Sequence, residues 1–182
     1  MTPRRLADGD QAPSFRATTL EGETVSLADY AERRLLLSFF RYGACPLCNL
    51  RMAFLIDAFP RWQAKGLDVI AIFESPAERL LETVASQPIP FPVIPDPDRI
   101  LYKQYGVTAS WFGYVVGAFR VRSFRKAFQR GFRIGRGEGA INQLPAEFLI
   151  EPDLMIERSY YGKDIGDHLP LEEIDAWVES DD

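Results

Sequence analysis

The sequence predicts a layered α/β fold, with a central mixed β-sheet flanked by helices, an N-terminal β-hairpin and a helical insertion. Three observations carry this. Leu35–Phe40 and Leu67–Phe73 are continuous apolar runs of strand length, as expected for strands covered on both faces. A helical segment follows each run, opened by proline or closed by glycine. The resulting strand–helix–strand–helix rhythm is that of an α/β layer protein. With 182 residues, 47% hydrophobic and 26% charged, residues 1–182 suit a single domain. A chain of this size can bury a full core without disulfide staples.

The elements follow in order. Phe15–Thr19 and Thr24–Leu27 flank Glu21-Gly22, a turn signal, and read as a hairpin. Leu35–Phe40 is the first core strand. Residues 46–65 read as a helix stopped at Gly66, with Pro60 expected to kink or interrupt its last turns. Leu67–Phe73 is the second core strand, and Pro76–Ser86 a short helix opened by proline. Phe91–Ile94 is a third strand, and Asp96–Tyr105 a capped helix ending at Gly106. After Val107 the rhythm breaks, and residues 109–143 read as an insertion. Phe148–Ile150 and Met155–Tyr161 form a hairpin around Glu151-Pro152-Asp153, and Leu171–Glu179 is a closing helix.

Several function classes are disfavoured. The formal net charge of −5 gives no overall attraction to nucleic acid or an anionic membrane. The N-terminus MTPRRLADGDQAPSF has two arginines but no apolar run behind them, unlike a secretory leader. No window reaches the roughly 18 apolar residues of a spanning helix. The expected location is the cytoplasm, where thiols stay reduced and a cysteine pair is more often catalytic or metal-binding than structural.

The chain's two cysteines, Cys45 and Cys48, stand in LLLSFFRYGACPLCNLRM, at the junction of a strand and a helix. Proline at the first helical position places Cys45 at the N-cap and Cys48 at the third helical position. The partial positive charge and free N–H groups of a helix start stabilise a thiolate, and Cys-X-X-Cys cysteines there have lowered pKa values. Cys45 is then a nucleophile and Cys48 its resolving partner. Two inert core cysteines are the bland alternative. A zinc site needs four ligands, and two cysteines with one histidine fall short, so no metal is expected.

These stretches resemble the thioredoxin-like superfamily, and within it the peroxiredoxin-like (AhpC/TSA-type) branch. GDQAPSFRATTLEGETVSLADY resembles its N-terminal hairpin region, FFRYGACPLC its active-site strand and helix start, DVIAIFESPAERL and FPVIPDPDRILYKQYGV the following units, and LPAEFLIEPDLMIERSYYG the last hairpin. The likeness covers most of residues 8–107 and 144–178 and implies a thioredoxin-like fold. It also implies two registers. In the peroxiredoxin register Cys45 falls on a threonine and Cys48 on the peroxide-attacking cysteine, whereas in the thioredoxin register Cys45 attacks disulfides. Pro145 falls where reductases place a cis-proline that offers a backbone edge to substrate, and where peroxiredoxins place an arginine. Leu144, Pro145, Arg41 and Tyr42 are thus the implied substrate-binding positions. Arg41 could supply the positive group, or be a solvated strand-end charge.

Residues 119–136 carry seven basic and no acidic residues, with Phe124, Phe128 and Phe132 at helical spacing. One reading is a basic amphipathic helix for an anionic partner. The preferred reading packs the phenylalanines on the body. The tail, residues 164–182, carries eight acidic residues and no lysine or arginine, and could neutralise the basic helix within one chain or across a homodimer. DNA binding is then expected to be weak and salt-sensitive. His168 is assigned a polar loop or capping role rather than proton donation. Gly131, Gly135, Gly137 and Gly139 follow no strand and do not make a phosphate loop. Trp111, Phe112 and Tyr114 either line a groove over the motif or anchor the insertion.

The sequence therefore favours a thiol–disulfide oxidoreductase with a redox-active Cys45–Cys48 pair. A thiol-dependent peroxidase acting through Cys48, with Cys45 resolving, is the first alternative. A non-catalytic redox-sensing binding module is the second. No cofactor is expected. The expected partners are a thiol or disulfide protein or a small electron donor, with a peroxide or disulfide substrate. Neither nucleic acid nor membrane is expected.

Overall fold

A computed structural model describes residues 4–84, 87–135 and 139–180. Strands β1 (Arg16–Thr18) and β2 (Thr24–Ser26) form the expected hairpin, a small sheet of its own. The main sheet contains β3 (Arg34–Phe39), β4 (Leu67–Phe73), β5 (Val93–Pro95), β6 (Ala146–Ile150) and β7 (Ile156–Tyr161) in the order β5-β4-β3-β6-β7. β3 pairs parallel with β4 and antiparallel with β6, so the sheet is mixed, as expected. β3 and β4 are buried along their whole length, as their unbroken apolar runs require.

Side chains alternate across β3. Leu36 and Phe40 join the cluster that holds helix α1 (Pro46–Gln63), while Leu35, Leu37 and Phe39 face Tyr102, Tyr105 and the N-terminal hairpin. The remaining helices are α2 (Ala77–Thr83), α3 (Ile100–Gln104), α4 (Trp111–Ala118), α5 (Val121–Gln129) and α6 (Leu171–Glu179).

The differences from the sequence reading have local causes. Pro60 does not interrupt α1, which runs to Gln63, and the Ala64 N–H still donates to the Pro60 carbonyl at 3.2 Å. The Asp96–Tyr105 segment is helical only from Ile100. Asp96 caps it from outside, accepting from the Ile100 and Leu101 N–H groups at 2.9 and 2.8 Å. The helix expected over Pro76–Ser86 covers Ala77–Thr83, and Ser86 lies outside the described residues, as do Arg136 and Gly137.

Residues 109 and 143 are joined by a bridge between Ala109 and Gln143, and the Ser110 N–H donates to Asn142 O at 2.8 Å. The insertion holds two helices rather than one. α5 lies along α1. α4 reaches the body through Gly113 and Gly117. A Cβ on Gly113 would lie 2.6 Å from Lys163 O, and one on Gly117 2.3 Å from Ile165 Cγ1, so only glycine permits this approach. Among the described residues, no helix is long and apolar enough to cross a membrane.

Candidate active site

β3 and β4 run parallel, so their carboxyl ends lie side by side and deliver Arg41–Ala44 and Glu74–Ser75 to one edge of the sheet. The chain turns there before entering α1. The Gly43 N–H donates to Ser75 Oγ at 3.0 Å, and Asn49 Nδ2 donates to the Gly43 and Cys45 carbonyls at 2.6 and 3.0 Å. A side chain at Gly43 would collide with Thr83 Oγ1 at 2.4 Å. The turn thus fixes Cys45 at the N-cap, with Pro46 first in the helix and Cys48 third, as the spacing predicts.

Both cysteines are free and buried, Cys45 1% and Cys48 0% exposed. Their surroundings differ. Both lie among core side chains, but Cys45 also forms part of the wall of a mostly apolar cavity of about 750 Å³. Arg41, Tyr42 and Pro46 border Cys45 there. The two insertion helices supply Tyr114 and Ala118 from α4 and Val121, Phe124 and Phe128 from α5.

Arg41 is the central charge, 1% exposed. Its Nη1 donates to Cys45 Sγ at 3.1 Å, and its Nη2 donates to the Ile141 carbonyl of the insertion's return leg. The guanidinium lies 5.0 Å from the Tyr42 ring and 5.8 Å from that of Tyr114. It is a buried thiolate partner, so the solvated strand-end reading fails. Burial raises the Cys45 thiol pKa, but the Cys48 thiol hydrogen bond, the Arg41 charge and the Cys48 and Leu47 N–H groups outweigh it and bring it down to about 6. Cys45 makes no cap hydrogen bond of strict geometry, so these N–H groups act through their dipoles. Burial and the Cys45 anion push Cys48 well above the ordinary thiol value. One sulfur is therefore poised as an anion and the other holds its proton.

Leu144 and Pro145 lie at the start of β6. Among the described residues there is no cis peptide bond, so the expected cis-proline is trans. The backbone edge expected for substrate pairing is also occupied. The Leu144 N–H donates to Thr108 O at 3.3 Å, and its carbonyl accepts from Gln143 Nε2 at 3.0 Å. The Pro145 carbonyl accepts from the Gly162 N–H at 2.9 Å. Thr108, just before the insertion, and Gln143, its last residue, thus close an edge that the resemblance left open.

Two buried carboxylates were not read from the sequence. Glu147, 0% exposed, accepts from Arg51 Nε and Nη2 at 3.0 and 2.9 Å, from Ser38 Oγ at 2.9 Å and from the Leu169 N–H at 2.8 Å. Burial raises its pKa, but Arg51 and His168 overcome this and hold it at about 2. His168 Nδ1 is 3.4 Å from Glu147 and buried. Desolvation lowers its pKa while Glu147 pulls it up, and it lies, as the sequence placed it, in the irregular segment between β7 and α6, with its side chain turned in to Glu147. A charge within the apolar strand AEFLI was the available signal. Glu74 is the second carboxylate, pushed up to about 7 chiefly by burial, with Cys45 and Arg41 among its electrostatic neighbours.

Of the insertion's aromatics, Tyr114 lines the cavity while Trp111 and Phe112 are exposed. Phe124 packs on the core as expected, but Phe128 is 47% exposed at the cavity. Among the described residues no group of three or more His, Cys, Asp or Glu could hold a metal ion.

The model of the AhpC/TSA family matches residues 9–159. A Mycobacterium tuberculosis protein named as a peroxiredoxin is 33% identical over 102 residues, 56% of this chain and 65% of the relative. The thiol-disulfide oxidoreductase ResA of Bacillus thuringiensis is 29% identical over 104 residues, 57% of this chain and 60% of ResA. The chain thus spans less than two thirds of these relatives' length. A Chlorobium tepidum structure described as the thiol:disulfide interchange protein DsbE superposes with a TM-score of 0.66 at 20% identity, covering 95% of this chain and 98% of the other. The fold is thioredoxin-like.

Proposed function

The chain belongs to the AhpC/TSA family, and from that premise we propose that it is a thiol–disulfide oxidoreductase driven by the Cys45–Cys48 pair. The opposite displacement of the two thiols carries the reading: a thiolate next to Arg41 at Cys45 and a retained proton at Cys48. The Cys45 thiolate attacks one sulfur of a disulfide, the S–S bond breaks, and the departing thiolate takes a proton. Cys48 then loses its proton and attacks Cys45 Sγ, releasing the second substrate thiol and leaving a Cys45–Cys48 disulfide. A thiol protein or small thiol donor reduces that disulfide.

A specific observation favours a second reading, thiol-dependent peroxide reduction. Cys45 lies in an apolar cavity, and the Leu144–Pro145 edge is already hydrogen-bonded, which suits a small oxidant better than an extended peptide. In that case the Cys45 thiolate attacks the peroxide oxygen, the O–O bond breaks, and the leaving alkoxide takes a proton. Cys48 attacks the resulting sulfenic acid and expels water. The upward direction of the Cys48 pKa counts against the family-derived assignment of peroxide attack to Cys48. The cytoplasm suits this chemistry. Both cysteines belong to one redox motif, leaving none for structural disulfides.

Peroxide consumption and reduction of a small test disulfide are to be followed in the wild type, Cys45→Ser and Cys48→Ser. Loss of both activities in Cys45→Ser, with a trapped mixed disulfide or sulfenic acid in Cys48→Ser, is expected. Turnover that survives in Cys45→Ser would overturn the assignment of the attacking sulfur.

A further inference from the structure

The sequence reading placed the phenylalanines of the insertion on the body and let the acidic tail neutralise its charge. The structure does neither in full. Gly113 and Gly117 turn one side of α4 to the chain at Lys163–Ile165, and Tyr114 and Ala118 wall the cavity. What remains of α4 and its C-cap points to solvent and is entirely apolar: Trp111 is 64% exposed, Phe112 80%, Val115 54% and Phe119 78%. A surface helix ordinarily turns polar groups outward, and one that is apolar all round is covered. α5 adds Val121, 70% exposed, and Phe128, both where they also border the cavity.

The charges beside this face are basic, and four of them are unpaired among the described residues. Arg120 is held by Asp164 and Asp167, and Arg130 by Asp57. Arg122, Arg125, Lys126 and Arg133 have no ion pair among the described residues. Of the four acids of α6, three are already engaged, Asp175 with Arg61, Glu179 with Lys65 and Glu173 with Arg158, which leaves Glu172 alone. A second copy of the chain would therefore not bring a free acidic row to α5. Aliphatic valines among the aromatics give nothing for a nucleic acid to stack on, and in an acyl layer they would be buried along with the rings.

We propose that the outer face of α4 and α5 docks on the surface of an anionic lipid bilayer, with Trp111, Phe112 and Phe119 at the acyl boundary and Arg122, Lys126 and Arg133 among the headgroups. Tryptophan and phenylalanine with flanking cations are the composition of an interfacial helix. The net charge of −5 opposes approach in any other orientation, so the attraction is confined to this face. The Cys45 cavity lies between the same two helices, so docking would turn it toward the apolar phase. This departs from the expectation of no membrane partner and does not depend on which oxidant Cys45 meets.

The test is co-sedimentation with vesicles of phosphatidylcholine alone or mixed with phosphatidylglycerol, at low and high salt. Binding is expected only to the anionic vesicles, weakened at least tenfold by high salt, by Arg122→Glu with Lys126→Glu, or by Phe112→Ser with Phe119→Ser. Cys45 alkylation should stay unchanged in these variants, which shows that they fold. Tryptophan emission should shift to the blue on binding, and Trp111→Phe should abolish the shift, since Trp62 is already buried and Trp177 is half-buried beneath Arg34, on α6. No vesicle binding, or equal binding to both compositions, overturns the proposal. So does a lipid-free dimer in sedimentation velocity that Phe112→Ser with Phe119→Ser dissociates.

Discussion

Arg41→Met keeps most of the side chain's length and removes its charge. The lost interaction is the 3.1 Å contact between Arg41 Nη1 and Cys45 Sγ. A hydrogen bond to a charged group contributes about 1.5–3 kcal/mol, and one pKa unit corresponds to about 1.4 kcal/mol. The Cys45 thiol should therefore rise by about one to two units from its value of about 6. At neutral pH the rate barely reports this, because a more basic thiolate is also more nucleophilic, with a Brønsted slope of about 0.4–0.5. At about pH 5 the thiolate fraction falls roughly ten- to hundredfold while nucleophilicity recovers only about three- to eightfold. The net loss is about three- to twelvefold. The assay is the iodoacetamide alkylation rate of Cys45 against pH, read by mass spectrometry, with thermal unfolding as a check on the fold. A midpoint that stays within about half a unit of the wild type in a folded variant would refute Arg41 as the thiolate's partner.

Cys48→Ala removes the thiol that hydrogen-bonds to Cys45, so the alkylation midpoint should move up while Cys45 stays reactive. An unchanged midpoint would mean that the two sulfurs do not communicate. Glu147→Ala leaves Arg51 buried without its carboxylate and should cost about 3–5 kcal/mol in urea unfolding. The folded pKa of Glu147 is depressed to about 2, so its contribution is complete above the ordinary carboxylate range and is lost as pH falls toward 2. Acid unfolding should begin in that window and weaken in Glu147→Gln. Gly117→Val places a side chain where a Cβ alone meets Ile165 Cγ1 at 2.3 Å. α4 must lift, so the insertion should be cut faster by protease at a stability cost of about 1–3 kcal/mol, and unaltered proteolysis would count against this packing.

The apolar runs of β3 and β4 and the Gly66 stop were legible because each rests on local rules, periodicity and turn chemistry, that act within a few residues. The N-cap position of Cys45 was legible for the same reason, since proline at the first helical position fixes the helix start. His168 and Glu147 were not. They lie 21 residues apart in the chain and are juxtaposed only when the segment after β7 folds back over α1. Pro145 misled because its expected role depended on a free backbone edge, and that edge is closed by Thr108 and Gln143.

By itself, the sequence determined that a Cys-X-X-Cys pair opens a helix after a buried strand, and hence which sulfurs the proposed chemistry rests on. Tertiary structure alone set the opposite directions of the two thiol shifts, because these depend on Arg41 being folded back onto Cys45 and pinned to Ile141 from the far end of the insertion. It also decided what reaches that sulfur. The cavity and the exposed apolar face are both made by α4 and α5, whose residues are ordinary in sequence and acquire their roles only from the sides they turn to the body, the cavity and the solvent.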